Sequence, residues 1–121
     1  LIMVIVILGI LAATALPKFV DLSGEAHEAT ANAVLGAANS AAAMNYAAVL
    51  VGGKDAAGNT ATAITADATG ATKLLTFLDV PFEWTAGTSL ISAALGSKTY
   101  TITITTAETA SGKAVLTLTS S

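Results

Sequence analysis

The chain has no cysteine and no arginine, two prolines, and only six aromatic residues: Phe19, Tyr46, Phe77, Phe82, Trp84 and Tyr100. Charged residues make up 11% of it, less than half of the usual quarter. Without cysteine there is no disulfide, no thiolate nucleophile and no cysteine-based metal site. The five cations are lysines scattered at positions 18, 54, 73, 98 and 113, and the net charge is −3. Nucleic-acid binding needs a concentrated cationic stripe and favours arginine as a base reader, so no nucleic-acid partner is expected. The aromatics are too dispersed to stack as a chain, and Trp84 with Phe82 reads as core. His27 is the only histidine and lies between Glu25 and Glu28 on a helical stretch. It reads as a solvated side chain, since a metal would need ligands from elsewhere. Seryl nucleophile motifs, phosphate-cradling loops and dinucleotide fingerprints are missing. No enzymatic activity and no cofactor are expected.

What the chain does have is apolar bulk. The apolar fraction is 54%, against a typical 45–50%, and its 121 residues suit one domain. It opens LIMVIVILGILAATALPKF, with no charged side chain before Lys18. A signal peptide would carry a basic stretch ahead of such a run. As a helix, residues 1–16 reach about 24 Å, short of the roughly 30 Å hydrocarbon core of a membrane. Further apolar residues ahead of Leu1 are expected to close that gap. The alternative is a buried core helix.

The continuation discriminates between these readings. Good helix formers run on to Gly52-Gly53, the first firm stop, with Leu35, Ala42, Tyr46 and Val49 on one face. Such a helix is about 75 Å long, while a compact domain of this size is roughly 35 Å across. Half of it must project, and the projecting half is apolar all round. Lipid or other chains must therefore bury it. Gly9 weakens the helix by roughly 1 kcal/mol relative to Ala, and Pro17 removes the hydrogen bond to the carbonyl of Ala13. A kinked or partly melted interval between Gly9 and Pro17 is expected.

Beyond the helix, residues 52–69 have loop chemistry, with short strands possible at residues 60–65. Asp55, Asn59 and Asp67 in this loop are weak calcium candidates, without the spacing of an EF-hand. Residues 70–79 read as a short helix with Leu74, Phe77 and Leu78 on one face, ended by Val80-Pro81. FEWTA (82–86) and SLISAAL (89–95) are weaker strand candidates. KTYTITITT (98–106) is the clearest strand, and KAVLTLTS (113–120) is its partner across AETASG, with Val115 out of phase with Leu116 and Leu118. Two strands alone are marginal, so a third is expected. The fold class is α+β: a long N-terminal helix and a small antiparallel sheet.

The stretch IVILGILAATALPKF, within LIMVIVILGILAATALPKFVDLSGEA, resembles the N-terminus of type IV pilins and their pseudopilin relatives. ATALPKFVDLS is most similar to mannose-sensitive haemagglutinin-type pilins. The close resemblance covers residues 1–26. It implies a pilin-like fold, with residues 1–26 as a protruding apolar helix and residues 27–121 as the head. It implies a structural subunit of a helical surface filament used in attachment or motility. Such a subunit is held in the inner membrane before assembly and is polymerised with many copies of itself by an assembly machinery and minor pilins. The alternative within the family is a type II secretion pseudopilin forming a short periplasmic piston, some of which bind calcium in their heads.

On this reading Leu1, Ile2, Val4, Ile5, Ile7, Leu8, Ile10, Leu11, Ala12, Ala15 and Leu16 pack in the filament core. Gly9 and Pro17 bracket its weak point, and Lys18 and Asp21 set the register between subunits. The family's cleavage site, methylated residue and glutamate fall ahead of Leu1. Many pilins close a C-terminal loop with a disulfide; without cysteine such a loop must be held otherwise or be absent, which weakens the case for adhesion through it.

Overall fold

A computed structural model describes residues 1–79 and 84–121, and for residues 15–22 the helical backbone without the side chains. Helix α1 spans Ile2–Leu50. It ends where the sequence supplies glycine. Gly52 takes a left-handed conformation (φ 62°), Gly53 N–H donates to Ala48 O and Gly52 N–H to Val49 O. Those two bonds and the left-handed residue make a Schellman stop, which occupies otherwise orphaned carbonyls.

The face that α1 buries is narrow and small. Ala31, Val34, Ala38 and Ala42 are buried at spacings of three and four, with Asn45 next along the same stripe. Leu35, Tyr46 and Val49 are only half-buried, so of the four residues expected on the inner face Ala42 alone is central. Gly9 through Thr14 remain helical, so that part of the interval expected to be melted is intact. A single glycine costs too little to break a helix of good formers. Ala15, Leu16 and Pro17, the remainder of that interval, lie outside the described side chains.

Four strands form one antiparallel meander in the order β1-β2-β3-β4: β1 Thr85–Ala86, β2 Leu90–Leu95, β3 Lys98–Thr106 and β4 Val115–Ser120. Strand β3 alternates as expected. Tyr100, Ile102 and Ile104 are buried, and the threonines between them face outward. Opposite them Leu116 is buried and Val115 exposed. The link between β2 and β3 is a two-residue turn closing the Leu95–Lys98 pair. Gly96 there sits at φ 65° while Ser97 does not take a positive φ, the pattern of a type II′ hairpin. Strands β3 and β4 shift register at Ile104/Thr106, a bulge.

Helix α2, Ala68–Phe77, begins two residues before the expected start because Asp67 caps it, accepting the N–H groups of Thr69 and Gly70. Residues 60–65 form no strand. The segment makes an isolated bridge between Lys54 and Thr60 and otherwise runs irregularly. The core joins the alanine stripe of α1 to Ile64, Leu74, Trp84, Ile91, Tyr100, Ile102 and Leu116. Trp84 is core as expected; Phe82 and Val80-Pro81 lie outside the described residues.

Candidate assembly surface

None of residues 1–14 is buried or half-buried. Among the large side chains of residues 1–11, exposure runs from 53% at Val6 to 99% at Leu1. Helical geometry hides part of each side chain behind its own neighbours, so such values on every side of the helix mean no cover from the other described residues. A Cβ added at Gly9 would meet nothing within 4 Å. Thr14 turns its hydroxyl back onto the carbonyls of Ile10 and Leu11, so even this polar residue spends its donor inside the helix.

Of the residues expected to pack in an assembly, Leu1, Ile2, Val4, Ile5, Ile7, Leu8, Ile10, Leu11 and Ala12 are exposed on this segment. Ala15, Leu16, Pro17, Lys18 and Asp21 have side chains outside the described residues. The first residue with any burial, among the described residues, is half-buried His27. Its ring lies against the β2–β3 turn, where a Cβ on Gly96 would come within 3.1 Å of Cδ2 and Nε2. The sequence suggested a fully solvated histidine; it missed this contact because the turn is nearly seventy positions away.

By length and composition α1 includes a segment able to cross a membrane. Among the described residues that segment is Ser23–Leu50, with mean hydropathy 1.3, while Ile2–Thr14 is shorter. Side-chain character reverses the order of the two. Ser23–Leu50 owes its hydropathy to alanine, carries Glu25 and Glu28, and lays one face on the sheet. Ile2–Thr14 carries large aliphatic side chains all round and no ionised one.

The calcium candidates have separate duties. Asp55 Oδ1 accepts the N–H groups of Ala57 and Asn59, and its Oδ2 lies 3.9 Å from Lys73 Nζ. Asp67 accepts from the Thr65 hydroxyl as well as from the start of α2. The hydroxyl first, and the Gly70 N–H next, hold the Asp67 carboxyl below its ordinary value. Among the described residues no three His, Asp or Glu side chains gather as metal ligands.

One polar feature was not foreseen. Glu108, in the linker that read as turn chemistry, is 6% exposed, and Asn45 on α1 is 3% exposed. Asn45 Nδ2 lies 3.1 and 3.3 Å from the two Glu108 oxygens and 3.0 Å from Thr62 O. Glu108 N–H donates to Ile64 O, and Lys73 Nζ donates to Thr62 O and Oγ1. One node thus ties α1, α2 and both long loops. It acts as a structural clasp, although Asn45 Oδ1 is buried in it without a hydrogen-bond partner among the described residues.

No family model, no curated protein and no solved structure matches this chain.

Proposed function

We propose that the chain is the structural subunit of a type IV pilus-like surface filament, polymerising through its N-terminal helix and carrying no catalytic activity. The observation that carries this reading is the wholly uncovered apolar segment, residues 1–14, on a chain whose head already has its own core. The resemblance of IVILGILAATALPKF to pilins also supports it.

The mechanism is transfer from one apolar surrounding to another. Lipid tails are about as apolar as leucine, so leaving the membrane gains little by hydrophobicity alone. Close packing of small residues, Gly9 and Ala12 among them, favours the helical bundle over lipid. The head remains outside, and its neutral threonine face meets water. Any loss of helix between Gly9 and Pro17 belongs to the assembled state on this reading.

Electron microscopy of material sheared from cells that express the chain tests the proposal. Long filaments containing it are the expected result. A monomer in detergent that never polymerises overturns it. Short assemblies seen only on overexpression, with a head whose stability depends on calcium, would mark the secretion pseudopilin instead.

A further inference from the structure

The clasp gathers an amine, an amide and a carboxylate: Lys73, Asn45 and Glu108. Lys73 Nζ and Asn45 Nδ2 both donate to the same atom, Thr62 O. Two hydrogen bonds therefore separate the nitrogens, about 6 Å at most. Asn45 Nδ2 also lies 3.1 and 3.3 Å from the two Glu108 oxygens. Asn45 and Glu108 are buried, and the Lys73 side chain is 15% exposed.

Hydrogen bonding alone leaves the amide poorly matched. Its two N–H protons face three acceptors, while the buried Oδ1 has no partner among the described residues. Exchanging the amide oxygen and nitrogen would set Oδ1 against a carbonyl and a carboxylate, so the orientation is fixed. Buried polar atoms left without a partner are exceptional. There is also room for movement. A cavity of about 290 Å³ opens beside Asn45, and its walls include Asp55 and Phe77. Lys73 Nζ lies 3.9 Å from Asp55 Oδ2 and 5.6 Å from the centre of the Phe77 ring, so the amine stands close to that space.

We infer that Lys73 and Asn45 join in an intramolecular isopeptide bond, with Glu108 carrying the protons. A lysine amine becomes a nucleophile once a base has taken its proton. The stem of Lys73 is flexible, and Nζ has about 3 Å to cover before it reaches attacking distance of Asn45 Cγ, ~3–3.5 Å. That movement brings Nζ beside Nδ2 and so beside Glu108. The Lys73 ammonium gives one proton to the Glu108 carboxylate. Nζ then attacks Cγ, and the carbonyl electron pair moves onto Oδ1. Nδ2 is now an amine on a tetrahedral carbon, and it takes the proton from Glu108. The C=O re-forms as the Cγ–Nδ2 bond breaks. The second Nζ proton leaves through the same carboxylate to the departing nitrogen, which goes out as ammonium. One Nζ–Cγ bond has replaced one Cγ–Nδ2 bond, Glu108 is restored, and the balance needs no oxidant or cofactor.

Among the described residues no donor faces Oδ1, so the step lacks an oxyanion hole. It runs slowly, and once per molecule. The product ties α1 to α2 and closes residues 46–72 into a covalent loop. The inference does not depend on the filament reading, since every atom in the bond belongs to the head.

The test uses the full chain, folded in detergent at neutral pH and followed by intact mass spectrometry until the mass stops changing. The chain should end lighter than its sequence by one ammonia. Trypsin should then release a branched product joining residues 19–54 to residues 55–98, uncut at Lys73. Lys73→Arg should keep the full mass. Glu108→Gln, which preserves the size of the side chain, should slow the loss about 100-fold or more. An unchanged mass in a chain whose circular dichroism shows a folded head overturns the inference. So does loss of ammonia without a branch, the mark of a succinimide at Asn45, in which Lys73 is still cut. Loss of one water with Lys73 joined to Asp55 overturns it in favour of that ion pair. A Glu108→Gln chain that links as fast as the parent overturns the role given to Glu108.

Discussion

Replacing Leu11 by aspartate separates assembly from folding. Leu11 is 60% exposed and lies on the uncovered segment. Its change should therefore leave the head's stability within about 0.5 kcal/mol, a shift in Tm of no more than about 2–4 °C for a domain of this size. In an apolar surrounding the same carboxylate costs about 2.5–3.5 kcal/mol at a helix centre. At 1.4 kcal/mol per factor of ten, burying the segment in lipid or in a helical bundle becomes roughly 60- to 300-fold less favourable than leaving it in water. Filaments should disappear from the sheared fraction, while circular dichroism in detergent shows the head melting as before. Gly9→Leu gives a second arm. A Cβ added there meets nothing within 4 Å among the described residues and improves helix propensity by roughly 1 kcal/mol, so lost filaments would report a close neighbour. Normal filament yield from Leu11→Asp refutes the reasoning. So does a fall in Tm beyond about 8 °C, which would place the segment against its own head.

Asn45→Ala leaves the Glu108 carboxylate buried without its side-chain donor and should cost about 1–3 kcal/mol, read as a lower Tm. Asn45→Asp sets two carboxylates face to face, so it should cost more at neutral pH and recover part of the loss on acidification. Gly70→Ala puts a Cβ 1.8 Å from Thr65 O; the backbone has to move, and a loss of about 1–3 kcal/mol or more is expected in thermal melts. Asp67 has a lowered folded-state value, so its contribution is complete above the ordinary carboxylate range near about 4. It is lost as pH falls through the lowered value. Melting curves of Asp67→Asn should lack that acid-side component.

The legibility of the fold followed contrast in the sequence. Strand β3 was readable because isoleucine alternates with threonine, and β4 because Val115 breaks phase with Leu116. The end of α1 was readable from Gly52-Gly53. The inner face of α1 was not, because alanine occupies both its buried and its exposed positions and marks neither. Residues 60–65 have strand composition, but their neighbours satisfy them singly: Thr62 O takes Asn45 and Lys73, and Ile64 O takes Glu108. Burial of Glu108 left no local signal, since its partner lies 63 positions away. The uncovered apolar segment was fully legible, because a run without charge longer than its own domain can shelter needs no partner information to be recognised.

The alanine stripe of α1 has a mechanical consequence. Any pull on the front of the chain enters the head along this one helix, and no strand shares it. Ala31, Ala38 and Ala42 have only methyl groups to interlock with the sheet, so little side-chain bulk resists sliding lengthwise. Such a seam would slip before the strands separate, and the Asn45–Glu108 clasp sits where it would stop that slip.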